Sequence, residues 1–426
     1  MSVISLLPPL ITLGGLYFLI RLRAFFLLHP KLTVCEISRE LKKPRAFSSL
    51  MLALAGTLGV GNIVGVAIGI TVGGSGAVLW LVLSALFSSI IKYCEVAIAT
   101  DSAANGMADV IKTSFKKHGR FLSKLYTALC LCLSLSMGTA LQSRSIAEAA
   151  DLALGIKPEY LLLPLIAFLL YFILGGADII ERGVKYIVPL TTAVYTFMCL
   201  LVIIPRCSAI GSVISDVFAS AFEFNAVSGG FIGIFASAAL KEGFARGMLS
   251  NEAGAGTSTL AHSRADGRSA FTGGLFGMLE VFFDTVVLCP LTALAILLTG
   301  YESGDGGAEI IIKTFSPLLF GDLAILLCIL FFALSTVLCW YYYGGACCES
   351  LFGKKAKPLF IPLFIGTSAF GLFFSTPLLI SASDVLLFLM ALITMLALLK
   401  NSSRITELTR NFIKEKRTSR SNGKSS

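Results

Sequence analysis

Apolar runs long enough to cross a bilayer recur from residue 3 to residue 399, and no other feature limits the fold as strongly. A hydrocarbon layer holds no water to bond peptide groups, so each run must satisfy its own backbone, which an α-helix does within one segment. Windows of about twenty residues place helices near 3–28, 48–72, 77–99, 122–150, 160–174, 184–204, 227–260, 270–298, 322–343, 359–375 and 385–399. The chain is 56% hydrophobic and 14% charged, with a mean hydropathy of +0.86, whereas a soluble domain carries about a quarter charged residues. The sequence therefore describes an all-α polytopic membrane protein of about eleven transmembrane helices.

Charge orients the bundle. The segment after the first run holds Arg21, Arg23, Lys31, Arg39, Lys42, Lys43 and Arg45, and two runs later come Lys112, Lys116, Lys117, Arg120 and Lys124. Alternate connections continue with Arg182 and Lys185, Arg264 and Arg268, and Lys354, Lys355 and Lys357, and the tail is basic throughout. The connections between them are poor in Lys and Arg, and "GYESGDGGAE" is acidic. By the positive-inside rule the N-terminus lies outside and the tail lies in the cytoplasm. The expected location is the plasma membrane, the inner membrane of a bacterium. The formal charge of +9 then reads as a topology signal and as contact with membrane lipid headgroups, not as nucleic-acid binding. The first run has no basic residue before it and no small-residue cleavage site after it, so it is expected to be a retained helix, not a signal peptide. The eleven cysteines lie mostly within apolar runs and form no CxxC pair. Cysteine acts there as a small hydrophobe, and no cofactor, metal cluster or essential disulfide is expected.

Two of the runs are interrupted. "GTLGVGNIVGVAIGITVGG", from Gly56 to Gly74, holds seven glycines, an asparagine and two threonines. Setting the first helix aside leaves ten, which divide into two groups of five: 47–205 and 206–400, flanked by 1–46 (the extra helix and a basic loop) and by the tail 401–426. The second group also opens on a long glycine-rich segment, "SGGFIGIFASAALKEGFARGMLSNEAGAGTSTLAH". Groups of five enter the membrane from opposite sides, and inverted repeats each led by a broken helix point to a secondary-transporter site at the midplane. Where a helix unwinds, its N–H groups and dipole attract a carboxylate while its carbonyls coordinate a cation. Glycine permits unusual dihedrals and close approach. Gly61, Gly65 and Gly69 also match a GxxxG packing face. Unwinding is therefore expected around Gly59 to Asn62, and packing at Gly65 and Gly69. A dinucleotide fingerprint is excluded by Val64 at its third glycine position and by the lack of a βαβ context.

At these residues the chain resembles the sodium:alanine symporter family, within the amino acid-polyamine-organocation superfamily. Three stretches carry the resemblance: "LAGTLGVGNIVGVAIGITVGGSGAVLW" with the following "KYCEVAIA", "ARGMLSNEAGAGTSTLAH" and "FALSTVLCWYYYG". The second contains the RGxxSNEAG signature at Arg246, Gly247, Ser250, Asn251, Glu252, Ala253 and Gly254. The resemblance covers most of the chain. It implies a leucine-transporter-like fold of two inverted five-helix repeats (5+5) plus one extra N-terminal helix, and cation-coupled uptake of a small neutral amino acid, typically alanine or glycine. The chain departs from the pattern at Ser75, where many members have proline, at Cys339 before Trp340, in "GGACCE" after Tyr343, and at Lys241 and Glu242. These departures bear on the substrate and the coupling ion more than on the fold.

Roles follow for particular residues. For the cation, most simply Na+, the expected ligands are Ser335 and Thr336 with backbone carbonyls from about Thr57 to Gly61, including Gly59. The competing reading is that both hydroxyls bond back to their own helix, as membrane Ser and Thr often do. For the substrate, Gly59, Val60, Gly61 and Asn62 are expected to meet the carboxylate. Gln142 matches a glutamine of the family, Trp340 walls the pocket, and Gly229 and Gly230 complete it. Arg246, Ser250, Asn251, Glu252 and Gly254 are expected to form a gate or hinge. Lys92 with Glu95 reads as a snorkelling pair near a helix end, Arg144 with Glu148 as an i,i+4 pair, and His262 as a residue of an inner loop.

The reading is thus a symporter that imports alanine or glycine by alternating access. The alternatives are a proton-coupled transporter of another small amino acid and a non-transporting sensor on the same fold. An enzyme is not expected, because HExxH, GxSxG and paired intramembrane aspartates are absent from the sequence. A channel would require a filter ring, which two broken helices do not supply.

Overall fold

The computed structural model describes residues 3–223, 237–263, 267–302 and 305–422, and within them every regular element is a helix. The chain opens with α1 (Leu7–Arg21), the amphipathic α2 (Pro30–Leu41), α3 (Pro44–Thr57) and α4 (Val64–Gly73). The long helices α5 (Ala77–Asp101), α6 (Gly119–Leu154), α7 (Pro158–Gly175) and α8 (Ala177–Ala221) follow. After α9 (Ala238–Asn251) come α10 (Ala270–Thr299), the short α11 (Gly307–Phe315), α12 (Gly321–Phe352), α13 (Lys357–Gly371), α14 (Thr376–Lys400) and α15 (Ser402–Asn422).

Seven of these helices are long and apolar enough to cross a membrane: α5 to α8, α10, α12 and α14. An eighth span is the bent pair formed by α3 and the segment Val60–Gly73, whose axes meet at 60°. Each lies at an expected run. The other three runs appear as shorter helices. Helix α1 stops after 15 residues, where Arg23 and Ala24 take left-handed conformations. Helix α13 also has 15 residues, and α9 covers only the later part of the run 227–260, whose first half lies outside the described residues.

Burial sorts the helices by position. In α12, 72% of the apolar window is enclosed, against 17% in α7. Helix α12 therefore stands at the centre, touching α3, α6 and α8, while α7 turns Leu163, Tyr171 and Leu174 outward. An outward apolar surface of this kind is what lipid contact selects, because lipid leaves a helix no hydrophobic reason to bury it.

Around α12 the bundle is held by close backbone approach at small residues. Gly61, Gly65 and Gly69 all face α9: a Cβ on them would meet the Leu249 carbonyl oxygen, the Leu249 side chain and the Arg246 stem at 3.5, 3.8 and 3.0 Å. The packing expected of Gly65 and Gly69 is present, and its partner is the helix that leads the second group. Helix α9 in turn packs on α5 through Gly243, where a Cβ would lie 2.5 Å from the Ala77 carbonyl oxygen and 2.6 Å from Trp80 Cβ.

Overpacking a tight helix contact costs about 1–3 kcal/mol. Gly243→Val is therefore expected to lower the melting temperature of the purified protein in detergent, with the α5–α9 contact opened. Gly211→Ala, at a helical glycine with nothing within 4 Å, should leave it unchanged.

Candidate functional site

The first helix break lies where the glycines announce it. Helix α3 ends at Thr57, Leu58 and Gly59 leave helical geometry, Val60–Asn62 form a single 3-10 turn, and α4 resumes at Val64. Gly59 itself is extended (φ −116°, ψ −159°), a conformation open to any residue. Space is what demands glycine here, since a Cβ would stand 2.8 Å from Thr336 Oγ1 and 3.1 Å from Gln142 Oε1.

Partners from two other helices satisfy the opened backbone. The Val60 N–H donates to Gln142 Oε1 at 3.3 Å, and the Gln142 amide donates to the Met137 carbonyl at 3.1 Å within a π-helical turn of α6. Thr336 Oγ1 donates to the Ala55 carbonyl at 2.8 Å, across the interface between α12 and α3. The adjacent Ser335 donates to Phe332 of its own helix at 2.9 Å. The two hydroxyls thus divide: Thr336 reaches the break, and Ser335 bonds back as isolated membrane serines do. Thr57 Oγ1 lies 3.5 Å from the Ala53 and Leu54 carbonyls of its own helix. Trp340 is fully buried against Gly138 and the Tyr343 ring (centroids 5.4 Å apart), and its indole N–H has no partner.

The second break is the signature itself. Helix α9 ends at Asn251, and Glu252, Gly254 and Gly256 follow with φ of +54°, +91° and +73° before a helical turn resumes at Thr259–His262. All three positions have positive φ, which explains the two glycines of "NEAGAG". Gly229 and Gly230 lie outside the described residues. Asn62, from the first break, donates to the Asp284 carboxylate, which also accepts from Ser250 and Thr285 at 2.8 Å each. Asn251 donates to Thr285 at 3.0 Å, and Glu252 accepts from Thr257 at 2.5 Å. The two breaks are therefore joined through one carboxylate, and the Asn62 side-chain oxygen beside it has no partner.

Helix α5 holds the second break open from behind. Lys92 Nζ donates to the Asn251 carbonyl at 2.7 Å, at the negative end of α9, and pairs with Glu280 at 3.2 Å. One turn on, Glu95 accepts from the Gly256 N–H at 3.1 Å. An ammonium on a helix's last carbonyl and a carboxylate on the N–H groups beyond it both follow the local dipole. Lys92, Glu95 and Glu280 are all fully buried, so the snorkelling reading of Lys92 and Glu95 is replaced by a structural one. His262 is likewise no loop residue: it is buried, 3.4 Å from Glu280. Arg268 stacks on Phe276 and donates to Ser49 of α3 at 3.1 Å.

On the side of the acidic connection lies a cavity of about 600 Å³, with Val64, Ile68, Glu148, Glu242, Arg246 and Asp384 among its walls. Arg246 is buried there and pairs with Asp384 at 2.7 Å and Glu242 at 3.3 Å, not with Glu252. The expected Arg144–Glu148 pair is present at 2.9 Å. Lys313 hydrogen-bonds Asp305 of the cavity wall at 2.9 Å, which holds that half-buried carboxyl below its ordinary range and raises the lysine. Reading by motif missed Glu280, Asp284 and Asp384, although a carboxylate inside or at the edge of an apolar run is a signal in its own right.

Comparison with known proteins agrees with this architecture. The sodium:alanine symporter family matches residues 1–425. The chain is 31% identical over 382 residues to the sodium/alanine symporter AgcS of Methanococcus maripaludis, covering 86% of this chain and 83% of that relative. It is 29% identical to the sodium/proton-dependent alanine carrier protein of Bacillus sp. strain PS3, covering 70% and 71%. Among solved structures it is similar to a manganese transporter of Eremococcus coleocola, with a TM-score of 0.50 and 14% identity over 83% of this chain and 76% of that one, a likeness of fold alone.

Removing one partner of a buried ion pair costs about 3–5 kcal/mol, because the other charge is left unmatched. Lys92→Met is expected to lose that much in reversible unfolding by denaturant in detergent. The double variant Lys92→Met/Glu280→Met should lose less than the sum of the single changes. Full additivity would mean the two groups are not coupled.

Proposed function

The chain belongs to the sodium:alanine symporter family, whose members are transporters and not enzymes, and from that premise we propose that it imports alanine or glycine together with Na+ by alternating access. The observation that carries the reading is the first break, where α12 and α6 converge on Gly59 through Thr336 and Gln142. A substrate carboxylate would replace local bonds at the N–H groups of Val60, Gly61 and Asn62. The Gln142 amide would be turned to the zwitterion, and Trp340 would limit the side chain to hydrogen or methyl. The cation would take Thr336 Oγ1, Ser335 Oγ after a rotamer change, and carbonyls between Thr57 and Gly61, an all-oxygen set suited to a hard ion.

This assignment carries with it the two inverted repeats, 47–205 and 206–400, with an outside N-terminus and a cytoplasmic tail. Arg246, Ser250, Asn251, Glu252 and Gly254 then act as a hinge at the second break. A zwitterion has no net charge, so the ion supplies the drive: about 2.3 kcal/mol per 100 mV and about 1.4 for each tenfold gradient. Together these sustain accumulation of a few hundred-fold at one-to-one coupling.

A second reading, proton coupling, is favoured by Asp284, a buried carboxylate shared between the two breaks. The relatives in Methanococcus maripaludis and Bacillus sp. strain PS3 are both named for alanine, and the second name adds the proton.

In proteoliposomes an inward Na+ gradient is expected to drive alanine or glycine uptake. Ser335→Ala/Thr336→Ala should abolish the Na+ dependence while leaving a folded protein. Accumulation driven by a pH gradient alone, and lost in Asp284→Asn, would select the proton reading. No gradient-driven accumulation of any small amino acid would overturn both.

A further inference from the structure

At the end of the bundle that carries the basic loops, the chain turns back on itself. Arg23 and Ala24, with φ of +55° and +43°, swing the helical turn Phe25–Leu28 under α5 and α10, where Phe25 meets Tyr93 and Phe271 with ring centroids 4.8 and 5.3 Å apart. Helix α15 returns under the same face: Thr409 hydrogen-bonds the Tyr93 hydroxyl at 2.7 Å, and Phe412 stacks on Phe271 at 4.4 Å. Between the turn and α15 a groove of about 340 Å³ remains open. Its floor is Leu22, Phe25 and Ile413, and Arg23, Arg410 and Lys414 stand on its rim. Leu28, His29 and Ile413 also wall a second hollow of about 310 Å³ that reaches Lys31.

The rim charges differ from their neighbours. Arg39 and Lys416 pair with Glu36, Lys43 with Glu40, and Arg404 with Asp101. Among the described residues, the side chains of Arg23, Arg410 and Lys414 have no ion pair or hydrogen bond. Three uncompensated cations around one apolar floor repel one another unless they share an anion, and phosphate oxygens suit guanidinium groups especially well. Leu27 and Leu28, 61% and 65% exposed, extend the apolar floor outward from the groove. A free phosphate would leave that floor wet.

We propose that the groove holds one anionic phospholipid of the surrounding bilayer. Its phosphate sits between Arg23, Arg410 and Lys414, and its acyl chains run over Phe25, Leu28 and Ile413 and out along Leu27. The lipid joins the Phe25–Leu28 turn to α15, two elements that are remote in sequence and both pack on Tyr93 of α5 and Phe271 of α10. A basic recess between helices on the cytoplasmic side is the general form of such sites.

The test is native mass spectrometry of the full chain in detergent, titrated with phosphatidylglycerol or phosphatidylcholine. One phosphatidylglycerol is expected to be retained at least about tenfold more tightly than phosphatidylcholine. Removing three headgroup contacts in Arg23→Gln/Arg410→Gln/Lys414→Gln should abolish that preference. Lys112→Gln/Lys116→Gln/Lys117→Gln, which removes three cations from another basic connection, should keep it. Equal retention by the groove variant and the original would overturn the proposal. Displacement of the lipid by millimolar inorganic phosphate would do the same, as would a protein dimer that disappears with the groove variant. Should the triple variant not elute as a folded monodisperse species, Arg410→Glu alone, at an exposed position, gives the same reading.

Discussion

A helix broken inside a membrane leaves carbonyls at one end and N–H groups at the other with no water to receive them, and every arrangement around this protein's centre answers that demand. The second break shows it most directly. The Lys92 ammonium closes the last carbonyl of α9 and Glu95 takes an N–H beyond it, both from one face of α5. The lysine is itself neutralised by Glu280 of α10. Without that three-cornered arrangement the sequence Asn251–Gly256 would have a strong reason to close into regular helix, and no irregular backbone would survive at that depth.

The first break uses neutral groups in the same role. Gln142 takes an N–H and Thr336 gives a proton to a carbonyl. Under the proposed function the difference is one of role. Groups that must exchange protein partners for a ligand are better neutral and rotatable, whereas groups that only hold a shape are better charged and fixed. Asp284 stands between the two cases, reached by Asn62 from one break and by Ser250 from just before the other.

Much of this was legible in the residues. Apolar length placed the spans, and the eight that stand as long helices or a bent pair fall where the runs were read. The glycine spacing separated an opening near Gly59 from a packing stripe at Gly65 and Gly69, because the two uses need different intervals. Gly229 and Gly230, expected to complete the pocket, lie outside the described residues, and the second break that is seen depends on left-handed backbone at Glu252 and at the two glycines that alternate with alanine after it. Arg246 was expected only as a member of the gate or hinge at the signature. Its partner Asp384 lies 138 residues away, a pairing that only the fold can make. Ser335 and Thr336 are indistinguishable as a dipeptide, and one step around a helix sends one to the break and the other to its own backbone.

The stripe from Gly61 through Gly65 to Gly69 has a mechanical meaning beyond close packing. Two ordinary helices interlock like gear teeth, and each must climb over the other's side chains to shift. Along this seam one surface has no teeth, and what faces it includes the stem of Arg246, whose charged head is tethered elsewhere to Asp384 and Glu242. The seam therefore resists separation through its contact area while offering little resistance to sliding. It is a bearing surface laid between α4 and α9 where the breaks meet.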